Sequence, residues 1–145
     1  DPRITPMGWF LRKSKINELP QLFNIFLGDM SFVGPRPLME VSFKTYSFNI
    51  QNIIYDVKPG LTGIGSIVFR DEEDLITEVK NSGGDTWDFY SKIIYPFKGE
   101  LEIWYQRNHN FLVDFKIIVI TAWVILNSKS NLVYKSFKSL PKREF

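Results

Sequence analysis

The segment FLVDFKIIVITAWVIL, residues 111–126, is the most apolar stretch of the chain and sets the kind of fold to expect. It is shorter than the ~20 apolar residues that cross a bilayer, and Asp114 and Lys116 place charges in its first turns. Two interpretations are open. It is either a helix buried in the core, or a helix at a membrane interface, with Trp123 near the headgroups and the basic C-terminal residues toward anionic lipid.

Helical patterns also dominate the sequence before this segment. Within residues 19–26, apolar side chains recur at i, i+3, i+4 and i+7, which is one face of an amphipathic helix. Further helices are expected over about 38–55 and about 87–107, the second broken or bent near Pro96. Only residues 66–69 suggest a short strand. The sequence therefore predicts a mainly α fold with little β structure.

Loops rich in proline and glycine separate these helices. Gly34–Pro37 cannot be regular, because its two prolines lack N–H donors and hold the residue between them extended. Residues 58–65 contain three glycines and read as a second loop. We expect one compact helical domain over residues 1–127. A basic tail over 128–145 is expected to fray.

Composition excludes several kinds of chemistry. The 145 residues include no Cys and a single His, so thiolate metal sites, cysteine nucleophiles and histidine-based triads are not expected. Acid, base or metal chemistry must then use carboxylates. The net charge of +2 falls short of the basic stripe of a nucleic-acid-binding protein, so no nucleic-acid partner is expected.

Four ordered stretches resemble the motifs of one family. They are RITPMGWFLRK (3–13), NELPQLFN (17–24), GDMSFVGPRP (28–37) and VKPGLTG (57–63). The corresponding family patterns are R-x-T-x-x-G-x-F-L-R-K, D-E-L-P-Q-L-x-N, G-D-M-S-x-V-G-P-R-P and V-K-P-G-[IL]-T-G. On these residues the chain is identified as a member of the bacterial sugar transferases, the monotopic polyprenyl-phosphate phosphoglycosyl transferases, in their small single-domain branch. The family's upstream re-entrant membrane helix is not among the residues of this sequence.

The resemblance implies a two-step reaction at an Asp-Glu dyad. The family's aspartate attacks the β-phosphate of a UDP-sugar, UMP leaves, and polyprenyl phosphate then takes the phosphosugar. This is the logic of covalent catalysis. The product starts a cell-surface glycan, such as an exopolysaccharide, capsule, O-antigen or glycoprotein glycan.

The first member of the dyad is Asn17 in this chain, and an amide cannot act as that nucleophile. Three interpretations stay open. The chain is a catalytically silent relative that binds nucleotide sugar or a partner enzyme; it belongs to a branch that uses Glu18 or another carboxylate; or the dyad is misaligned here.

The resemblance also implies Mg²⁺, which screens the diphosphate from the attacking carboxylate. Glu18 is the expected ligand, and Asp29 is a possible second ligand. Without the motif, Glu18 would read as an exposed first-turn residue and Asp29 as a turn residue.

Three arginines are candidates for binding the substrate phosphates. Arg36, held between prolines, is suited to bidentate phosphate recognition or to a structural bridge with a carboxylate. Arg70 precedes a cluster of acids, so a local salt bridge competes with the phosphate binding that the resemblance favours. Arg12 precedes the dyad and either meets phosphate or faces water.

The remaining expectations concern the substrate loop and the partners. Pro35 and Pro37 frame Arg36, while Lys58 and Gly60 could offer backbone N–H groups to phosphate. The expected partners are a UDP-sugar, polyprenyl phosphate and a membrane interface, with a homo-oligomer possible. The expected location is the cytoplasmic face of the bacterial inner membrane, with peripheral or monotopic attachment.

Overall fold

The computed structural model describes residues 5–14, 16–127 and 130–145, without the side chains of Arg12 and Lys13. Helices dominate these residues, which confirms the mainly α prediction. The α-helices are α1 (Pro6–Lys13), α2 (Gln21–Leu27), α3 (Glu40–Thr45), α4 (Phe48–Ile53), α5 (Ile64–Val68), α6 (Glu72–Asn81), α7 (Thr86–Phe89), α8 (Tyr95–Asn108), α9 (Phe111–Leu126) and α10 (Leu132–Ser136). A 3₁₀ turn covers Ile16–Glu18, and a π-helical segment covers Tyr90–Ile94.

The main core forms where α5, α8, α9 and the C-terminal residues meet. Leu101 of α8 and Ile117 of α9 are fully buried there. A smaller cluster joins α4 to α8 through Ile50, Ile54 and Tyr95. Of the two interpretations for residues 111–126, the core helix is confirmed for one face of α9, and the membrane interface stays a prediction. One face of α9 is buried in the core and the opposite face is exposed.

The two strands are β1 (Ser31–Val33) and β2 (Gly60–Thr62), which pair in parallel. The predicted strand at 66–69 is wrong, because these residues belong to α5 and the turn after it. Strands of three residues are too short to show an alternating pattern, so only their pairing reveals them. The Thr62 hydroxyl contacts that of Thr121 at 2.8 Å, which ties β2 to α9.

Glycine is required where the two loops cross. An added Cβ on Gly60 would lie 2.1 Å from the backbone N of Gly34 and 2.6 Å from the carbonyl oxygen of Thr62. One on Gly63 would lie 2.3 Å from the Gly34 carbonyl oxygen. The backbones of these loops therefore touch directly. Part of the glycine-rich loop is sheet, and its glycines serve this packing.

The helix predicted over about 38–55 is two helices, α3 and α4. The break falls at Tyr46 and Ser47, which are extended with ψ angles of 149° and 153°. The Tyr46 ring is buried edge-on against Tyr95, and the side-chain amide of Gln51 donates to the Tyr46 carbonyl oxygen. Burial of one aromatic ring thus overrides the local helical pattern.

The predicted interruption near Pro96 is confirmed. Pro96 occupies the second position of α8, and the π-helical segment directly precedes that helix. Proline lacks the N–H that would continue the α-helical ladder, which accounts for irregular turns at this point.

The expectation that residues 128–145 fray is wrong for the described part, 130–145. Val133, Phe137 and Leu140 are buried in the main core. The ring of Phe145 contacts those of Phe69, Phe89 and Phe97. Apolar side chains between the lysines explain the docking, because their burial outweighs the tail's polar composition.

Gly60→Ala should strongly destabilise the protein. The new methyl group would overlap backbone atoms that cannot rotate away, so we expect a loss of about 3 kcal/mol in the free energy of unfolding. Gly83→Ala is the matched control, because Gly83 has a φ of +78° but open space around it. Strain alone should cost about 1 kcal/mol there. Urea denaturation measures both, and equal losses would contradict the steric argument.

Candidate active site

The dyad positions lie in a short turn between two helices. Asn17 is exposed and Glu18 is half-buried in the 3₁₀ turn, and Pro20 precedes α2. Pro20 has a helical φ of −58°, as proline permits at a helix start. The break at Pro20 places the dyad ahead of α2, not within it.

Glu18 is held by two donors. Its Oε1 lies 3.2 Å from Nη2 of Arg36, and its Oε2 accepts a hydrogen bond from the side-chain amide of Gln21. The Glu18 side chain is 13% exposed and that of Arg36 is 57% exposed. The dyad and the Gly34–Pro37 loop therefore meet, and of the two readings of Arg36 the carboxylate bridge is formed.

The backbone around Arg36 is clamped by Tyr55. The Tyr55 hydroxyl donates to the Arg36 carbonyl oxygen at 3.2 Å and accepts from the Leu38 N–H at 3.1 Å. Burial raises the pKa of Tyr55, so its hydroxyl stays protonated and can serve as both donor and acceptor. Arg36 thus projects from a backbone fixed on both sides.

The other substrate-loop residues have structural positions. Pro35 is fully buried, and its carbonyl oxygen accepts the Gly60 N–H at 2.9 Å, so that N–H is not free for phosphate. Pro37 is exposed beside Arg36, and Lys58 is exposed. The Lys58 ammonium lies 3.8 Å from the Cβ position of Gly28, at the C-terminal end of α2.

Arg70 forms no ion pair with a carboxylate among the described residues. Its Nη2 lies 3.5 Å from the Ile125 carbonyl oxygen, at the C-terminal end of α9. Two neighbouring acids pair elsewhere: Asp71 with Arg143 and Glu72 with Lys98. Burial lowers the pKa of Arg70. The local salt bridge considered for Arg70 is therefore not formed, and no carboxylate in the described ranges pairs with this half-buried guanidinium.

No described contact connects the other two predicted site residues, Asp29 and Arg12, with Glu18 or Arg36. Asp29 is exposed directly after Gly28, and its N–H donates to the Asn24 carbonyl oxygen. The side chain of Arg12 lies outside the described residues. Within residues 5–14, 16–127 and 130–145, no three acidic or histidine side chains gather closely enough to hold a metal ion.

A buried carboxyl group lies deeper in the molecule. Glu102 of α8 is 6% exposed, and burial raises its pKa to about 7, although the nearby Lys98 charge lowers it. A Cβ on Gly65 would come within 3.0 Å of its Oε1. Sequence patterns did not single out this residue, because its helix carries charged residues on several sides.

Tyr55, Gln21 and Arg143 were also missed. Gln21 lies three residues after Glu18, a spacing at which helical side chains meet, so it could have been found. Tyr55 and Arg143 act across long sequence separations, for which a single sequence offers no signal.

The amino-acid sequence that forms this site matches a known protein family. The family model described as bacterial sugar transferase matches residues 1–128, and the chain belongs to this family.

Individual relatives carry specific names. The chain is 35% identical over 126 residues to an undecaprenyl-phosphate galactose phosphotransferase of Salmonella typhimurium, covering 87% of this chain and 22% of the relative. It is 35% identical over 127 residues to the uncharacterized sugar transferase EpsL of Bacillus subtilis, covering 88% and 52%. It is 33% identical over 133 residues to a UDP-glucose:undecaprenyl-phosphate glucose-1-phosphate transferase of Klebsiella pneumoniae, covering 90% and 25%. The chain thus spans about a fifth to a half of these relatives.

Glu102→Gln should make stability less sensitive to pH. With a pKa of about 7 in the folded state and 4.5 as the ordinary value, the folded protein holds the proton more tightly. This contribution is complete below pH 4.5 and is lost as pH rises through about 7. The variant lacks this loss, so its stability relative to the natural protein should rise between pH 5 and pH 8, by up to about 3 kcal/mol.

Denaturant unfolding at several pH values measures this difference. Glu100→Gln is the control, because Glu100 is exposed on the same helix. A constant difference across this pH range for Glu102→Gln would contradict the buried-carboxyl argument.

Proposed function

We propose that the chain is a sugar-phosphate transferase unit that takes a phosphosugar from a UDP-sugar and passes it to polyprenyl phosphate. The observation that carries the proposal is the 3.2 Å pairing of Glu18 with Arg36, which brings residues of two separate family motifs into contact. The named activities of the Salmonella and Klebsiella relatives support the substrate class. Starting an exopolysaccharide or related glycan is the proposed role.

The chemistry requires an anionic oxygen at the dyad. In the first step a carboxylate oxygen forms a bond to the β-phosphorus, and the bond from that phosphorus to the UMP oxygen breaks. In the second step an oxygen of polyprenyl phosphate bonds to the same phosphorus and the carboxylate leaves. Glu18 is the dyad carboxylate of this chain, and Arg36 orients it. Arg36 could also contact the substrate phosphates through its remaining guanidinium N–H groups.

Magnesium fits this arrangement as an ion bound largely by the substrate. Mg²⁺ commonly uses one or two carboxylates together with substrate phosphates and waters. Glu18 and the side-chain oxygen of Asn17 would hold it, and bound metal would neutralise charge on the diphosphate. Glu18 would then have to exchange a contact with Arg36 or Gln21 for one with the ion.

A catalytically silent relative is the second proposal, and Asn17 favours it. The amide at this position has no anionic oxygen, and both oxygens of Glu18 already accept hydrogen bonds. Such a protein would keep the phosphate-binding arginines and bind nucleotide sugar without turnover.

Asn17→Asp separates the two proposals. The natural chain, Asn17→Asp and Glu18→Gln are each incubated with Mg²⁺, undecaprenyl phosphate and a panel of UDP-sugars, and UMP release is measured. If Glu18 is the nucleophile, the natural chain releases UMP and Glu18→Gln lowers the rate at least about 10³-fold.

If the chain is silent, only Asn17→Asp releases UMP, while the natural chain binds UDP-sugar in calorimetry. Lack of both turnover and binding in all three proteins would contradict both proposals.

We further propose that the exposed face of α9 rests on lipid. Phe111 is 81% exposed, Leu126 is 86% exposed, and Phe115 and Trp123 are half exposed between them. No helix within the described residues is long and apolar enough to cross a membrane. An apolar face of this kind is suited to the interface, where it would bring the chain to a polyprenyl acceptor.

Phe115→Glu should weaken binding to liposomes. Phe115 is exposed, so the change should leave folding nearly intact, whereas it places a charge among the apolar groups that would enter the interface. Flotation with anionic liposomes measures binding, and Asn81→Glu on α6 controls for the added negative charge. The natural chain should float, and high salt should weaken its binding. Equal flotation of the two variants would exclude α9 as the lipid contact.

A further inference from the structure

The turn that carries Arg70 is unusual in its distribution of charge. Arg70 is followed by four acidic residues, 71–74, yet among the described residues its guanidinium reaches only a backbone carbonyl, that of Ile125. Asp71 is its direct neighbour in the chain, with Cα atoms ~3.8 Å apart. A free carboxylate at position 71 would repel any phosphate that approached Arg70.

Arg143 neutralises this carboxylate. Its Nη1 donates to Oδ1 of Asp71 at 2.7 Å and its Nη2 donates to Oδ2 at 2.6 Å, which is the bidentate geometry of a strong arginine–carboxylate pair. The hydrogen bond and the charge of Arg143 lower the pKa of Asp71. Nη1 also lies 3.4 Å from the Val68 carbonyl oxygen, so Arg143 joins the end of α5 to the turn before α6.

Aromatic contacts hold Arg143 in place. Its guanidinium lies 5.8 Å from the centre of the Phe69 ring and 5.9 Å from that of Phe145. Phe145 in turn packs edge-on against Phe89 and Phe97. The C-terminal residues thus form a clasp, Arg143 to Phe145, over the turn at Phe69–Asp71. This clasp lies beyond residues 1–128, the part that the family model matches.

We infer that Arg143 is a positioning residue for a phosphate site at Arg70. It cancels the charge of Asp71 and fixes the turn, so that the Arg70 guanidinium meets an anion without a competing carboxylate. The inference rests on the proposed function, since it assigns the phosphates of the UDP-sugar as the anion. It also assigns a role in that site to the C-terminal tail.

Lys98 neutralises the second acid after Arg70 in the same way as Arg143 neutralises the first. Its ammonium lies 2.7 Å from Oε2 of Glu72, the next acid along the chain. The two acids nearest to Arg70 in sequence are therefore both paired with distant cations. Glu73 and Asp74 lie exposed in the first turn of α6, where solvent screens them.

The experiment measures the affinity for UDP of the natural chain, Arg143→Ala, Arg143→Lys and the double variant Arg143→Ala/Asp71→Asn. Arg143→Ala should weaken binding roughly three- to tenfold, the effect of one unit charge a few ångströms from phosphate at a solvated site. Arg143→Lys should lose less, because it keeps the charge. Lys142→Ala, an exposed neighbour in the tail, is the control and should bind as the natural chain does.

The double variant distinguishes an electrostatic role of Arg143 from a purely structural one. It still lacks the clasp, so its thermal stability should stay as low as that of Arg143→Ala, yet its UDP affinity should return to within about twofold of the natural chain. Affinity that falls with stability and is not restored by Asp71→Asn would overturn the inference.

A second readout distinguishes this inference from the proposed function. Inorganic pyrophosphate is titrated while the Nε–Hε signal of Arg70 is followed by NMR, with Arg70→Lys used to assign that signal. The signal should shift in the natural chain and the double variant, and much less in Arg143→Ala. No shift in the natural chain would overturn the phosphate site at Arg70. A shift with this pattern, but without UDP-sugar binding or turnover, would overturn the proposed function alone.

Discussion

The direct backbone contact between two loops is the constraint on which the site depends. Gly34 and Gly60 approach so closely that neither has room for a side chain, and parallel pairing of β1 with β2 holds them there. The Gly60 N–H bonds to the Pro35 carbonyl oxygen, which fixes the proline before Arg36. Arg36 therefore leaves the sheet in a set direction, toward Glu18. A sheet of two short strands thus places the residues proposed to do the chemistry.

Pairing of charges explains which groups are left for a substrate. Glu18 is engaged by Arg36, Asp71 by Arg143 and Glu72 by Lys98, whereas Arg70 contacts only a carbonyl oxygen within the described part of the chain. The Asp71–Arg143 and Glu72–Lys98 pairs are partly buried, so their charges shape the field around Arg70 with less solvent screening than those of exposed pairs. In the inferred role of Arg143, neutralising the neighbouring acids leaves the charge of Arg70 available to attract phosphate.

Prediction from the sequence succeeded where a pattern is local. Residues 111–126 form one helix with the predicted limits, and the interruption before Pro96 depends on the missing N–H of proline. Prediction failed where contacts with residues distant in the sequence determine the local structure. Tyr46 ends a helix because its ring packs on Tyr95, and residues 130–145 dock because α8 and α9 offer them an apolar surface. For the site, a carboxylate partner for Arg36 is one of the two alternatives that the sequence predicts. Only the folded structure identifies this partner as Glu18.

Asn17 is best understood together with the state of Glu18. A nucleophilic carboxylate must present a lone pair to phosphorus, and hydrogen bonds to a charged acceptor lower its reactivity by stabilising the anion. Glu18 accepts from both Arg36 and Gln21 and is largely shielded, whereas Asn17 is exposed on the same turn. The geometry thus exposes position 17 to solvent and largely shields position 18. Under the proposed function, Glu18 would act as nucleophile only after the substrate draws Arg36 away from it. In that proposal the arrival of the diphosphate would itself release Glu18, because Arg36 can pair with phosphate as readily as with carboxylate.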